Sequence, residues 1–137
     1  MTFLVERLAE LRRHVDHITE IGPRVTGRAA LETDLSLRND VLFSLLMIAK
    51  LAIDIAGELA ARRGDRFEDY REAVRSLARD PRFPPALVSQ LEPLPGFRNV
   101  VVLEYVSLDL DRVIAAVHRL KPIEQFIEIV SGLEAAS

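Results

Sequence analysis

The feature that most restricts the fold is one long apolar stretch, residues 41–59, which carries only three charged side chains. Its 19 residues approach the roughly 20 that a helix needs to cross a bilayer. However, Lys50, Asp54 and Glu58 are spaced four residues apart, which places them along one helix face. Each charge at mid-membrane would cost roughly 2.5–3.5 kcal/mol. The pattern therefore predicts a long helix buried on most sides, with one polar stripe, and no membrane span.

Helical periodicity extends over most of the remaining chain. Near the N-terminus a 4-3-4-3 spacing marks the apolar side of an amphipathic helix, formed by Leu4, Leu8, Leu11, Val15 and Ile18. A polar connection over 24–32 follows. Asp34 or Thr33 can cap the long helix, and Gly64 stands just after its predicted end. Shorter helices are predicted over 67–78 and 85–91, and the prolines and glycine at 93–96 predict a break. A last helix starts near 109, and Pro122 should kink or restart it.

Three consecutive valines at 100–102 are ambiguous, because β-branched residues favour a strand by propensity. A single strand would have no partner in an otherwise helical chain, so we predict a helix there. The sum is an all-α, up-and-down bundle of four to five helices. At 137 residues the chain fits a single domain, 1–137, and we expect residues 134–137 to be a flexible tail.

Composition excludes several classes of function. With 18 basic and 21 acidic side chains the net charge is −3, so any RNA or DNA site must be a local patch. The absence of cysteine excludes disulfides, zinc-thiolate sites and thiol catalysis. The first residues lack the basic region and apolar run of a signal peptide. We therefore expect a cytoplasmic protein that does not enter a membrane.

The titratable side chains outside the apolar patterns give only weak signals. His14 and His17, with Glu10 nearby, could suggest a metal site, but no third ligand has suitable spacing, so a polar helix face is favoured. Lys50 and Asp54 could line a cleft, although periodicity favours the solvated side of the long helix. No metal or other cofactor is implied.

The most informative segment is 96–105, Gly-Phe-Arg-Asn-Val-Val-Val-Leu-Glu-Tyr. It resembles the motif of the HepT-like branch of the HEPN superfamily: Arg, a polar residue, three more residues, His, one residue and Tyr. Residues 51–56 and 66–73 are similar to the second long helix of that family and the short helix after it. The match holds at Arg98, Asn99 and Tyr105, whereas Leu103 stands where the family has His.

This resemblance implies a homodimeric toxin whose two subunits line a cleft for metal-independent RNA cleavage. In that cleft Arg98, beside Asn99, would hold the phosphate, and the missing His would transfer a proton. The resemblance also implies a nucleotidyltransferase-type antitoxin that can transfer AMP onto the motif tyrosine, here Tyr105. Leucine has no titratable group, and acid–base catalysis contributes about 10²–10⁴ in rate, so the resemblance implies impaired or altered cleavage.

Two alternatives to an impaired ribonuclease stay open: an inactive dimer that binds a partner or RNA, and a helical bundle unrelated to RNA. The corresponding structural roles are an ion pair of Arg98 with an acid such as Asp54, and interface packing of Tyr105. On one continuous helix Arg98 and Tyr105 would share a face, with Leu103 at its far edge. The 49% hydrophobic content independently favours a dimer.

Overall fold

The long apolar segment forms the centre of the structure, a computed structural model that describes residues 2–136. The regular elements of those residues are eight α-helices: α1 Thr2–Ile21, α2 Arg28–Thr33, α3 Leu35–Arg62, α4 Tyr70–Arg75, α5 Pro85–Leu91, α6 Leu94–Leu103, α7 Leu110–Val117 and α8 Lys121–Ala136. Three short 3-10 turns, Gly22–Arg24, Ser76–Arg79 and Tyr105–Ser107, link some of them. The all-α prediction is confirmed, while the homodimer stays a prediction.

The long helix α3 begins and ends where the sequence predicts. The Asp34 carboxylate accepts a hydrogen bond from the Leu37 backbone N–H at 3.0 Å, which caps the first turn. At the other end Gly64 has φ +77°, the left-handed conformation that closes many helices. Fourteen of the 28 residues of α3 are buried, as expected for a helix that is covered on most sides. Among the helices of residues 2–136, none combines the length and apolar character needed to cross a membrane.

The apolar stripe of α1 packs along α3, and α6 and α7 also pack against α3, while α8 packs against α1 and α5. All five stripe residues predicted for α1 are at most 9% exposed: Leu4, Leu8, Leu11, Val15 and Ile18. They join residues of the other helices in one continuous hydrophobic core. Helices α3 and α6, which carry part of the site described below, therefore pack in or against this core.

The predicted count of four to five helices is wrong. Helix α2 was missed, because it has only six residues, fewer than two turns, and lies in the predicted polar connection 24–32. Helix α4 lies within the helix predicted over 67–78. The predicted break after 85–91 is present but shorter than expected, since α5 ends at Leu91 and α6 already starts at Leu94. Proline is tolerated in a first helical turn, so Pro95 and Gly96 lie inside α6.

The remaining predictions for the C-terminal half have mixed outcomes. The valines at 100–102 lie in α6, which confirms a helix over a strand. A new helix starts beside Pro122, as predicted. It continues to Ala136, so residues 134–136 of the predicted flexible tail are helical, and Ser137 lies outside the described residues.

Candidate functional site

Helix α6 places Arg98 at the protein surface with its charge unneutralised. Its neighbour Phe97 packs against the hydrophobic core, and this packing sets which face of α6 points outward. Phe97 also lines a cavity of about 310 Å³. The half-buried Arg98 donates a hydrogen bond from Nη1 to Asn99 Oδ1 at 3.2 Å. Its guanidinium carbon lies 5.4 Å from the centre of the Tyr70 ring, within cation–π range. Within residues 2–136 Arg98 forms no ion pair, so its positive charge is available to an anion.

The carboxylate that could have neutralised Arg98 has a different partner. Asp54 accepts a hydrogen bond from Lys50 Nζ at 2.8 Å, one turn away on the same face of α3. Further along, Arg62 contacts Glu58 and also Glu134 of α8. The predicted polar stripe of α3 is therefore a row of surface ion pairs. A cleft-lining role for Lys50 and Asp54 stays a prediction, and among the described residues neither is bonded to Arg98.

Tyr105 does not share a helix with Arg98, contrary to the expectation from their spacing. Helix α6 ends at Leu103, and Glu104 leaves the helical conformation with φ −127° and ψ 35°. Tyr105 then lies in the 3-10 turn Tyr105–Ser107, where no residue is buried. The run of three β-branched valines, which are weak helix formers, precedes this end. Face-sharing over seven residues requires an unbroken helix, and here the helix breaks.

Instead, Tyr105 is attached to the first turns of α3. Its hydroxyl donates a hydrogen bond to Asn39 Oδ1 at 2.7 Å. Arg38 donates from Nη2 to the Tyr105 carbonyl oxygen at 3.2 Å, and its guanidinium lies 5.1 Å from the centre of the tyrosine ring. Sequence reasoning missed both α3 residues. Local periodicity carries no signal for contacts between residues 66 and 67 positions apart.

The position at which the family has His is solvent-facing and apolar. Leu103 is 78% exposed, and its neighbours Val102 and Val106 are 56% and 94% exposed. We call these three residues the apolar edge. None of them can donate, accept or transfer a proton. Exposed apolar side chains grouped in this way are typical of surfaces that another molecule covers.

His14 and His17 have structural partners outside the motif. His14 Nδ1 is 3.0 Å from Ser44 Oγ, and His17 Nε2 is 2.8 Å from Asp40 Oδ1, in the seam between α1 and α3. Burial lowers the pKa of His14, an effect that the nearby Glu10 carboxylate opposes. His, Asp and Glu side chains of residues 2–136 form no group of three or more that could hold a metal ion.

Comparison with known proteins agrees with the motif. The family model described as Ribonuclease HepT-like matches residues 11–130. The mRNA nuclease HepT of Shewanella oneidensis is 25% identical over 131 residues, which cover 94% of this chain and 96% of that protein. Among solved structures, a tri-AMPylated Shewanella oneidensis HEPN toxin in complex with MNT antitoxin has a TM-score of 0.84 at 24% identity, covering 96% of this chain and 98% of that one. A toxin–antitoxin complex with AMP-PNP has a TM-score of 0.82 at 23% identity, covering 95% and 98%. Since the family model spans most of the chain, the protein belongs to the HepT-like ribonuclease family.

Proposed function

We propose that this single-domain protein is a HepT-like toxin of a cytoplasmic toxin–antitoxin pair. It acts on RNA as a homodimer, and its antitoxin is of the nucleotidyltransferase type. The observation that carries the proposal is Arg98, an arginine at the family's motif position that has no carboxylate partner within residues 2–136. The resemblance in sequence and fold to proteins described as an mRNA nuclease and a HEPN toxin supports it.

The surroundings of Arg98 suit a phosphodiester with an attached base. A guanidinium offers several N–H donors in one plane, which match the oxygens of a phosphate group. Tyr70 beside it is 48% exposed, and an exposed aromatic ring can stack on a nucleobase. Asn99 is exposed next to Arg98 and adds an amide that can donate or accept. Arg98 and Asn99 are therefore the proposed RNA contacts.

Leu103 lowers the cleavage activity that this site can support. Cleavage without a metal needs a group that takes a proton from the ribose hydroxyl or gives one to the leaving oxygen. Leucine does neither, and the loss of acid–base catalysis lowers a rate by about 10²–10⁴. The same substitution extends the apolar edge, which we assign to the contact with the second copy of the chain.

Tyr105 is the proposed site of modification by the antitoxin. Tyr105 is 41% exposed, so a second protein can contact it. One solved relative is a tri-AMPylated toxin in complex with an antitoxin. An AMP group on Tyr105 would bring a negative charge and steric bulk to the motif surface, where both oppose RNA binding.

An RNA cleavage and binding assay with matched variants tests this function. We expect the natural protein to cleave a pool of random-sequence single-stranded RNA slowly, and Leu103→His to cleave it about 10²-fold faster or more. Arg98→Ala should abolish cleavage and weaken binding, whereas the control Arg12→Ala removes an equal charge from the exposed face of α1 and should change neither. Cleavage by the natural protein that survives Arg98→Ala would contradict the assignment.

The alternative is a catalytically inactive dimer that binds a partner or RNA, and the leucine at position 103 favours it. Copurification from the source cell with tagged protein should recover a nucleotidyltransferase in both cases. RNA cleavage by the Leu103→His variant distinguishes the two. If RNA also binds at Arg98 but stays intact even with Leu103→His, the protein is a binding module and the ribonuclease proposal is wrong.

A further inference from the structure

We infer that Arg38 and Asn39 are positioning residues that hold Tyr105 as the acceptor of a nucleotidyl group. The inference rests on the proposed modification of Tyr105 and names the part of this chain that prepares it. The two residues lie on α3, half of whose residues are buried. From there they contact Tyr105 in the turn Tyr105–Ser107, none of whose residues is buried.

The turn needs this attachment because the hydrophobic core does not provide one. None of its three residues is buried, and Val106 is 94% exposed. A tyrosine in such a turn would otherwise lose rotational freedom only when its partner protein bound it. Holding a nucleophile in its reactive orientation beforehand removes that entropic cost from the reaction.

Asn39 fixes the reacting atom itself. Its Oδ1 accepts the phenolic hydrogen bond at 2.7 Å, which directs the Tyr105 hydroxyl hydrogen towards α3 and leaves oxygen lone pairs to face outward. Asn39 is itself exposed on α3, so its amide is not required by the core. The other tyrosine of the chain lacks this arrangement: within residues 2–136 the Tyr70 hydroxyl has no hydrogen-bond acceptor.

Arg38 holds the other end of the residue and supplies charge. It contacts the Tyr105 carbonyl and lies 5.1 Å from the ring centre. Its Nε is buried without a hydrogen-bond partner, and among the described residues no carboxylate pairs with its guanidinium. The cation therefore stays unneutralised beside a side chain that becomes anionic once it carries a phosphodiester.

The donor of the nucleotidyl group is a nucleoside triphosphate. Tyr105 Oη forms a bond to the α-phosphorus, and the bond from that phosphorus to the bridging oxygen of pyrophosphate breaks. Pyrophosphate leaves with the electron pair. The phenolic proton passes to a base of the transferase or to water, since an asparagine amide orients this proton but does not retain it. Asn39 is thus a positioning residue and not the base.

Kinetics of AMP transfer test Asn39, with the nucleotidyltransferase recovered by copurification and ATP labelled at the α-phosphate. Asn39→Ala should lower kcat at least about tenfold and leave KM for this protein unchanged, because the orientation of the hydroxyl is lost while the docking surface stays. Asn39→Asp keeps an acceptor oxygen and should restore kcat to within a few-fold. A wild-type kcat for Asn39→Ala, or an Asn39→Asp variant as slow as Asn39→Ala, would overturn the inference.

A second measurement needs no partner protein. Phenylmethanesulfonyl fluoride sulfonylates tyrosine hydroxyls, and the similarly exposed Tyr70 serves as an internal reference. The ratio of Tyr105 to Tyr70 labelling should fall several-fold in Asn39→Ala and return in Asn39→Asp. If wild-type protein accepts no AMP, the proposed modification is wrong, and this ratio alone decides whether Asn39 positions the phenol. If AMP transfer and the ratio are both unchanged by Asn39→Ala, the modification stands and the positioning role is wrong.

Discussion

Some residues of the candidate site can be identified from a short motif in the sequence, whereas others can be identified only from the fold. Arg98, Asn99, Leu103 and Tyr105 belong to one short segment, so the resemblance of that segment to a family motif was enough to single them out. Asn39 was not predictable, because it acquires meaning only when the turn after α6 reaches α3. Residues that support a site from another element leave no local pattern in the sequence.

His14 provides a prediction at this scale. Burial lowers its pKa below the ordinary value of 6.5, so the unfolded chain binds the proton more tightly than the folded one. The stability it contributes is complete above pH 6.5 and is lost as the pH falls through the lower folded pKa. The free energy of unfolding in urea, measured from about pH 8 to about pH 5, should therefore decrease less steeply for His14→Gln than for wild type.

Glu10 supplies the opposing control for that measurement. Its carboxylate raises the pKa of His14, against the effect of burial. Glu10→Gln should therefore lower that pKa further and make the loss of stability towards acid pH steeper. An unchanged slope in His14→Gln would show that protonation of this imidazole does not control acid stability.

At the scale of helices, prediction succeeds where a pattern persists over several turns. The stripe of α1 and the apolar girth of α3 each span many residues, and both helices have the predicted positions. Helix α2 is shorter than two turns, so its apolar residues cannot form a recognisable stripe on one face. The end of α6 at Leu103 was missed for a different reason: no glycine or proline marks it.

Two glycines, one just after a helix and one inside a helix, give a paired prediction about stability. Gly64 has φ +77°, a conformation that costs a residue with a side chain about 1–2 kcal/mol, so Gly64→Ala should destabilise by roughly that amount. Gly132 lies inside α8, and beyond its chain neighbours and its own helix backbone nothing lies within 4 Å of an added Cβ. Gly132→Ala should therefore stabilise by about 0.5–1 kcal/mol. Thermal and urea unfolding measure both changes, and equal signs for the two variants would contradict this account of α3 and α8.

For the whole molecule, the sequence predicted the helical class and the family, but not the arrangement of the surface. A net charge of −3 gives no hint of two arginines, Arg38 and Arg98, that lack carboxylate partners among residues 2–136. Their availability depends on where every acidic side chain lies after folding. The apolar edge likewise could not be predicted, because the sequence does not show which apolar side chains stay exposed after folding.

The apolar edge leads to a prediction about assembly. Light scattering should give the mass of two chains, because a second copy removes Leu103, Val102 and Val106 from water. Leu103→Asp should raise the dissociation constant of the dimer at least about tenfold, since it places a charge in an apolar contact. Val5→Asp changes a 50%-exposed apolar residue on α1 and serves as the control. A mass of one chain for wild type, or equal effects of both variants, would refute the assignment.

The end of α6 at Leu103 places Arg98 on the helix and the tyrosine on the turn that follows it. An adduct on Tyr105 Oη removes the hydrogen that Asn39 accepts, so the three-residue turn can adjust to the added bulk while the ten-residue α6 keeps its backbone hydrogen bonds. Inhibition and its reversal would then require no unwinding of secondary structure.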